Sequence, residues 1–263
     1  MDLHLRDKRI LITGGSKVIG LACAEAFLQE GARVTLVSRD AANLARAREQ
    51  LAAHDARRIH THAADLRDPN AALAALDAAE AALGAVDVLV NSAGAAKRTP
   101  APELTPQAWQ EAMQAKYFSY IHMIDPTIKR MAQRGRGSIV NVVGNGGKVA
   151  SPIHLPGGAA NAALMLASAG LAAAYGPQGI RVNAINPGAT RTERLREGLA
   201  ADARMQGITS DEAMQRSVAR IPLGRMAEPE EIARAVLFLA SDAASYVTGI
   251  CMTMDGAASP IVV

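Results

Sequence analysis

Short apolar segments alternate with longer helical segments along this chain of 263 residues, and this order constrains the fold more than any other feature. Strands that alternate with helices of about 10–20 residues form βαβ units, in which helices cover both faces of a parallel sheet. We therefore predict a single doubly wound α/β domain over residues 1–263, with a central parallel sheet of about seven strands. The predicted strands cover residues 9–13, 33–38, 58–64, 86–91, 137–143, 181–185 and 249–254. The predicted helices cover residues 20–30, stretches ending near 53 and 83, and residues 104–134, 159–175 and 228–239.

Composition argues against several other classes of protein. Apolar residues make up 49% of the chain, charged residues 20% and aromatic residues 3%, and the formal net charge is +3 with a pI of about 9.0. Few aromatic side chains and interspersed charges argue against nucleic acid as a partner. Cys23 and Cys251 lie far apart and have no neighbours in a metal-binding spacing, so we interpret both as buried small hydrophobic residues and expect no metal.

We expect a soluble, cytoplasmic protein whose partner is a small-molecule substrate rather than a membrane. The first eight residues mix charged and apolar side chains, unlike a signal peptide. The uncharged stretch 149–180 is interrupted by Pro152, Pro156, Gly157 and Gly158, which leaves residues 159–175 as the predicted helix. That helix is shorter than the roughly 20 residues that a bilayer requires, so we predict that it is buried in the protein.

Glycines concentrate at the first strand-to-helix turn, residues 13–20 (TGGSKVIG). Such a backbone turns tightly and directs N–H groups at a pyrophosphate bound at the helix N-terminus. The second strand ends at Ser38 and Arg39, where an acidic residue is typical of NAD(H) and a basic one suits the 2′-phosphate of NADP(H). Arg39 and Lys17 therefore predict NADP(H) rather than NAD(H), because guanidinium groups form paired hydrogen bonds with phosphate. An exposed Arg39 without a ligand is the alternative.

Motifs of one family follow in order along nearly the whole chain. Residues 13–20 resemble TGxxxGxG, residues 91–94 (NSAG) resemble NNAG, and residues 186–192 (NPGATRT) contain the PG motif. Further matches are residues 65–66 (DL), 221–225 (IPLGR), 228–233 (EPEEIA) and 245–249 (SYVTG). Through these motifs the sequence resembles the short-chain dehydrogenases/reductases, and among them the ketoacyl reductases. The resemblance implies a Rossmann-type fold, a nicotinamide cofactor, a variable lid at about residues 190–220, and commonly a homotetramer built partly from two long helices.

The resemblance also implies which residues bind the cofactor: Gly14, Ser16, Lys17, Ile19, Arg39, Asp65, Leu66, Asn91, Ala93, Gly94, Pro187, Gly188 and Thr190. Val18 departs from the motif, because it stands where the family has its middle glycine. A side chain at this position is expected to crowd the phosphates or to force the loop outward.

Four positions at which the family carries its catalytic asparagine, serine, tyrosine and lysine hold other residues. In the family, the tyrosine transfers a proton, the lysine lowers the pKa of that tyrosine, the serine steadies the carbonyl, and the asparagine anchors a water molecule. The corresponding residues here are Lys116, Gly144, Gly157 and Asn161. The chain has four tyrosines and none lies at the tyrosine position: Tyr117, Tyr120, Tyr175 and Tyr246. General acid–base catalysis contributes roughly 10²–10⁴-fold, so its loss would raise the barrier by about 3–5 kcal/mol.

Two nearby residues are candidates for a rebuilt proton-transfer apparatus. Lys116 would supply a cation from the helix that carries the family's asparagine; alternatively, its side chain extends into solvent. His154 lies three residues before Gly157 and is of the type that titrates near neutral pH, so it is a candidate proton donor. A solvent-exposed loop histidine is the alternative. Asn145 and Lys148 are weaker candidates.

The sequence therefore favours an atypical NADP(H)-binding oxidoreductase that acts on a carbonyl or alcohol substrate with a non-standard proton transfer. A catalytically inactive protein of the same fold, serving in cofactor binding or in assembly with an active relative, is the main alternative. A lyase or isomerase that uses the enlarged cleft is a third, weaker hypothesis. Residues 193–218 show no pattern that identifies the substrate.

Overall fold

The carboxyl ends of parallel strands meet at one edge of a central sheet. The computed structural model describes residues 2–94 and 98–261, and within them seven strands form one parallel sheet in the order β3-β2-β1-β4-β5-β6-β7. The strands are β1 (Arg9–Thr13), β2 (Arg33–Ser38), β3 (Ile59–Ala63), β4 (Val88–Asn91), β5 (Gly137–Val142), β6 (Ile180–Pro187) and β7 (Cys251–Met254). Strands β2 and β3 extend the sheet on one side of β1, whereas β4 to β7 extend it on the other, so the strand order switches between β1 and β4. Open α/β sheets bind ligands beside such a switch point. The predicted doubly wound α/β fold is confirmed.

Helices cover both faces of this sheet. They are α1 (Val18–Gln29), α2 (Ala41–Leu51), α3 (Pro69–Leu83), α4 (Pro106–Ala112), α5 (Ser119–Gln133), α6 (Leu155–Tyr175), α7 (Glu193–Gln206), α8 (Ser210–Ala219) and α9 (Pro229–Ala240). On one face α1 packs against α9, and on the other α3 packs against α5 while α6 lies against β6. Strand β1 serves both faces, because Ile10 and Ile12 point into one hydrophobic core and Leu11 into the other.

The predicted strands agree with the structure to within two residues at each end, whereas two of the predicted helices differ. Helix α6 begins at Leu155 rather than at residue 159, because Pro156 lies in its first turn, where a backbone N–H has no partner within the helix. The predicted helix 104–134 consists of α4 and α5, joined by a π-helical turn at Met113–Phe118. The segment predicted as a variable lid, about residues 190–220, contains α7 and α8, which were not predicted as helices. We call this segment the lid.

Helix α6 has 21 residues, more than predicted from the sequence, so its length alone does not argue against a membrane span. By length and composition alone, the segment Leu155–Gln178 could cross a membrane. This is weak support for a span, because a core helix of a soluble protein meets the same criteria. In the structure, Leu164 and Ala172 of this helix are buried in the hydrophobic core that also contains Ile139 and Val182 of the sheet.

The two cysteines differ in burial. Cys23 is fully buried in α1, and its burial raises the pKa of the thiol to about 12. Cys251 is only partly buried at the start of β7. The interpretation of both as buried residues is therefore correct for Cys23 and wrong for Cys251, because β7 is an edge strand of the sheet.

A chain of buried polar side chains joins β1, β4, β5 and α6 near the carboxyl ends of the strands. Thr13 donates its hydroxyl to the Asn91 carbonyl oxygen at 3.3 Å, and the Asn91 amide donates to Asn141 at 3.0 Å. The Asn141 amide in turn donates to the Ser168 hydroxyl at 2.9 Å. We call these four residues the amide chain. All of them are buried, so each hydrogen bond replaces one that water can no longer supply.

We expect Asn141→Ala to lower the free energy of unfolding by about 2–3 kcal/mol, because Asn91 and Ser168 each lose a buried hydrogen-bond partner. Urea unfolding followed by circular dichroism measures this loss. The control is Asn70→Ala on the exposed first turn of α3, which should change stability by less than about 0.5 kcal/mol. Equal small effects of the two substitutions would show that the amide chain does not stabilise the sheet edge.

Candidate active site

Two adjoining cavities open along the carboxyl edge of the sheet. The outer cavity has a volume of about 560 Å³ and lies beside the turn after β1 and the ends of β2 and β3. The inner cavity has a volume of about 440 Å³ and lies between the ends of β4, β5 and β6, the start of α6 and the lid. Both are lined by Ile19, Ser92, Gly94 and Thr192. The two cavities therefore form one continuous cleft along this edge.

The glycines of the first turn allow the backbone to pack closely at the outer cavity. Gly14 has φ +66°, and a Cβ added there would lie 2.7 Å from the carbonyl oxygen of Ser92. A Cβ at Gly20 would lie 2.2 Å from the carbonyl oxygen of Gly14. The N-cap residue of α1, Lys17, provides no side-chain hydrogen bond to the first helical N–H groups. This helix end is therefore suited to bind an anionic group such as a pyrophosphate.

Val18 adopts a backbone conformation that glycine favours. Its φ is +47°, a left-handed conformation that is a genuine outlier for a β-branched residue. Its side chain is 36% exposed and lines the outer cavity. The valine side chain therefore adds bulk to the cavity wall, and the loop accommodates it through backbone strain at this residue. That it crowds bound phosphates stays a prediction.

Three basic side chains line the outer cavity: Lys17, Arg39 and Arg67. Arg67 was not identified from the sequence; its Nε donates to Asp65 at 3.0 Å, and this hydrogen bond lowers the pKa of the Asp65 carboxyl to about 2. The other acidic residue of this cavity, Asp40, accepts a hydrogen bond from the Asn43 backbone at the start of α2. Both carboxylates are thus engaged within the protein, and the cavity presents an excess of positive charge.

Most of the predicted cofactor-binding residues line the cleft. The outer cavity is lined by Gly14, Ser16, Lys17, Ile19, Arg39, Asp65, Leu66, Ala93 and Gly94, and the inner one by Ile19, Gly94, Pro187, Gly188 and Thr190. Asn91 is the exception. Its side chain is fully buried in the amide chain, so the prediction that it contacts the cofactor is not supported by its position. It instead contributes to the sheet edge that carries the cleft.

Lys116 lies in the π-helical turn and is buried rather than extended into solvent. Its side chain is 8% exposed, and its Nζ donates to the carbonyl oxygen of Val142 at 2.9 Å and to the hydroxyl of Tyr120 at 2.7 Å. The Tyr120 hydroxyl itself donates to the same Val142 oxygen at 2.7 Å. The alternative of a solvent-exposed lysine is therefore wrong, because these oxygens at the end of β5 hold the ammonium at the wall of the inner cavity.

Tyr120 holds Lys116 in position, a role that the sequence reasoning missed. It is fully buried, and Lys116 Nζ lies 4.4 Å from the centre of its ring. The available signal was the i,i+4 spacing of Lys116 and Tyr120, which places two side chains on one face of a helix. Tyr117, by contrast, packs against the hydrophobic core, and its ring meets that of Phe118 edge-on with the ring centres 5.2 Å apart.

The imidazole of His154 occupies the space next to Gly157. A Cβ at Gly157 would lie 2.1 Å from His154 Cε1 and 2.4 Å from Nε2, and a Cβ at Gly146 would lie 3.2 Å from Cδ2. His154 is partly buried, is the N-cap residue of α6, and lines the inner cavity. The alternative of a solvent-exposed loop histidine is therefore wrong. By the resemblance, Gly157 stands at the family's tyrosine position, and the ring occupies the space beside it.

Gly144 and Asn161, which the resemblance also assigns to catalytic positions, line the inner cavity together with His154. Gly144 has φ +123°, and a Cβ there would lie 3.2 Å from the amide nitrogen of Asn161. Asn145 also lines the inner cavity, and its amide donates to Asp255 at 3.0 Å and to Ser259 at 2.8 Å. Lys148 does not line this cavity, because its ammonium donates to Thr253 of β7 at 3.3 Å. The structure thus brings Lys116, Gly144, Gly157, Asn161 and His154 together.

Known proteins resemble this chain over nearly its whole length. Residues 14–258 match a family model described as enoyl-(acyl carrier protein) reductase. D-threitol dehydrogenase from Mycolicibacterium smegmatis is 35% identical over 258 residues, covering 97% of this chain and 94% of that protein. An NADPH-bound short-chain oxidoreductase from Pseudomonas aeruginosa PAO1 that contains an atypical catalytic center is 32% identical, with a TM-score of 0.87 and coverage of 98% and 100%. L-sorbose reductase from Gluconobacter frateurii, complexed with NADPH and L-sorbose, is 30% identical, with a TM-score of 0.88 and coverage of 97% and 98%.

The strain at Val18 can be measured. We expect Val18→Gly to raise the free energy of unfolding by about 1 kcal/mol, because glycine adopts a positive φ without a steric cost. Val18→Ala is the matched control, since it removes two methyl groups but keeps the Cβ, and it should raise stability by less. Urea unfolding compares the three proteins. Equal stabilisation by glycine and alanine would assign the effect to the methyl groups instead of the backbone.

Proposed function

This chain belongs to the short-chain dehydrogenase/reductase family of oxidoreductases, and we propose that it is an NADP(H)-dependent member that reduces a carbonyl substrate, or oxidises the corresponding alcohol, with His154 as the proton donor and acceptor. One observation carries the proposal: the His154 imidazole lies over Gly157, where the family has its tyrosine, and lines the inner cavity. The usual general acid is absent from the sequence, but a titratable group occupies the corresponding space.

The residues of the outer cavity fit a nicotinamide dinucleotide. The close approach of Gly14, Ser92 and Gly20 leaves the N-terminus of α1 accessible to a pyrophosphate. Lys17 and Arg39 line the part of the cavity that suits a 2′-phosphate, and Arg67 adds a third cation. This arrangement favours NADP(H) over NAD(H), since a phosphate adds charge that the 2′-hydroxyl lacks.

When bound, the nicotinamide supplies or accepts hydride. The protein must then provide or remove one proton at the substrate oxygen. We assign this transfer to His154, because histidine exchanges a proton near neutral pH and its ring lines the inner cavity. In the direction of reduction, the imidazolium gives its proton to the developing alkoxide and becomes neutral imidazole. In the direction of oxidation, the neutral ring takes the proton of the hydroxyl.

Lys116 and Asn161 provide two further polar groups at the inner cavity. The Lys116 ammonium is held by Val142 and Tyr120, so its position does not depend on the substrate. A fixed positive charge stabilises negative charge that develops on the substrate oxygen, since no reorganisation is needed during the reaction. The Asn161 amide lies beside Gly144, where the family's serine would project, and it can donate to the same oxygen.

We further propose a cytoplasmic homotetramer. This proposal rests on the family resemblance, in which two long helices build part of the assembly. Leu166 of α6 is 77% exposed, and Trp109 of α4 and Phe118 of the π-helical turn are also exposed. These apolar side chains would be covered if α6 and the α4–α5 segment packed against a second copy of the chain.

We expect His154→Ala to lower the kcat of NADPH-dependent carbonyl reduction at least 100-fold while leaving the Kd of NADPH within twofold. NADPH oxidation measured by absorbance over a panel of ketones and aldehydes, with NADPH binding measured by fluorescence, tests both points. His4→Ala at the exposed N-terminus is the control.

Full activity of His154→Ala would show that another group transfers the proton. Tight NADPH binding by the wild type without turnover of any compound in the panel would instead favour the inactive, cofactor-binding alternative. The two outcomes are distinct, because the first requires measurable wild-type turnover.

The assignment of NADP(H) has its own test. We expect Arg39→Ser to raise the Kd of NADPH by about 10–100-fold, because a charge-assisted interaction worth about 1.5–3 kcal/mol is lost. The Kd of NADH should change less than twofold. Arg48→Ser on α2 is a matched control, since this arginine does not line the outer cavity. A parallel weakening of NADPH and NADH would contradict contact between Arg39 and the 2′-phosphate.

A further inference from the structure

The loop that follows β5 is tied by side chains to the segment that follows β7. The amide of Asn145 donates to the Asp255 carboxylate at 3.0 Å and to the Ser259 hydroxyl at 2.8 Å. These partners lie 110 and 114 residues further along the chain, so the contact joins two segments that are distant in sequence. We call these three residues the Asn145 cluster. It connects a wall of the inner cavity, which Asn145 lines, to the edge of the sheet.

Asp255 is held in place by the turn to which it belongs. The N–H of Ala258 donates to the Asp255 carbonyl oxygen at 3.2 Å, and the two residues between them, Gly256 and Ala257, have φ of +64° and +66°. One carboxylate oxygen of Asp255, Oδ1, accepts the N–H of Ala257 at 3.1 Å, while the other, Oδ2, accepts the amide of Asn145. Each oxygen of the carboxylate therefore has its own donor, and the side chain has a defined orientation.

The same turn packs against the residues after β6 that line the inner cavity. The N–H of Gly188 donates to the carbonyl oxygen of Met254 at 2.9 Å. A Cβ at Gly188 would lie 2.6 Å from Asp255 Cβ, so the aspartate lies directly behind this part of the cavity wall. Asp255 itself does not line the cavity. It can therefore affect a bound substrate only through its neighbours.

On its other side, the loop after β5 packs against the proposed proton donor. Gly146 follows Asn145, and a Cβ at Gly146 would lie 3.2 Å from His154 Cδ2 and 3.6 Å from the amide nitrogen of Asn161. A Cβ at Gly158 in the first turn of α6 would lie 2.7 Å from the carbonyl oxygen of Gly146. The backbone at Gly146 thus forms one side of the space that the imidazole occupies, and a displacement of this loop changes that space.

We propose that Asp255 is a positioning residue: through Asn145 it holds Gly146 against the imidazole of His154 and thereby sets the orientation of that ring toward the substrate. This inference rests on the proposed function, because it takes His154 as the group that transfers the proton. A group that is displaced from its reactive geometry loses much of its catalytic effect even when the displacement is small. The contact has a direction, because the amide donates and the carboxylate accepts.

Exchange of the two groups tests this assignment. Asp255→Asn places an amide opposite the amide of Asn145, and Asn145→Asp places a carboxylate opposite that of Asp255, so each single substitution breaks the contact. In the double variant, the new amide at position 255 can donate to the new carboxylate at position 145, while its oxygen still accepts the N–H of Ala257. The Ser259 hydroxyl can rotate to donate to the same carboxylate.

We expect each single substitution to lower the kcat of carbonyl reduction by about 10–100-fold and to leave the Kd of NADPH within about twofold. The double variant should recover kcat to within about threefold of the wild type, since the two changes compensate only if the groups interact. Asp68→Asn is the matched control, because Asp68 is an exposed carboxylate at the start of α3 that lines neither cavity. It should leave kcat unchanged.

Nuclear magnetic resonance of the imidazole C–H groups follows the ring without turnover. The chain has six histidines, and the signal that disappears in His154→Gln identifies this one. We expect both single substitutions to shift this signal and the double variant to return it to the position in the wild type. Asn145→Ala removes the amide without adding a charge, so it should also shift the signal if either charge-altering variant fails to fold.

A His154 signal that is unchanged in Asn145→Ala and in both single variants of the exchange overturns the proposal. A double variant whose kcat and ring signal are no closer to the wild type than those of the single variants overturns it as well. Full activity of His154→Ala would instead contradict the proposed function. The ring signal still reports the position of the imidazole in that case, so the two failures are distinguishable.

Discussion

The amide chain, which links Thr13, Asn91, Asn141 and Ser168, fixes the edge of the sheet that carries the candidate active site. Its side chains are buried and satisfy one another only when β1, β4 and β5 lie in the observed register. A slip of one residue would reverse the faces of all side chains in a strand and leave several amides unsatisfied in the interior. Both cavities open at this edge. The positions of the turn after β1, of the π-helical turn and of α6 are thereby fixed relative to one another.

The residues at the expected catalytic positions of the inner cavity can be understood together. The family resemblance assigns its tyrosine and lysine positions, four residues apart on one helix, to Gly157 and Asn161 of α6. A lysine and a tyrosine with the same spacing, Lys116 and Tyr120, lie in and after the π-helical turn instead. A buried ammonium requires hydrogen-bond acceptors, and Tyr120 and the end of β5 provide them. The positive charge of the site therefore remains, although it approaches the cavity from a different helix.

Much of the fold and part of the site could be predicted from the sequence, because both depend on patterns along the chain. Alternating strands and helices gave the order of the elements, and motif spacing singled out Lys116, Gly144 and Asn161, which line one cavity. Features that depend on three-dimensional packing could not be predicted. The π-helical turn decides that Lys116 points inward toward Tyr120, and the register of the sheet decides that Asn91 points into the core. Likewise, the sequence showed the bulk of Val18 but not its positive φ.

The glycines of the inner cavity explain why the usual catalytic side chains could not simply be restored. Any side chain at Gly157 would displace the imidazole of His154, since its Cβ would lie within 2.1 Å of that ring. A serine at Gly144 would have to adopt φ +123°, which L-amino acids rarely tolerate. These two glycines therefore provide the space and the backbone conformation that the observed position of His154 requires. Under the proposed function, the absence of tyrosine and serine is part of the arrangement that places a histidine at the substrate, and it does not by itself argue against catalysis.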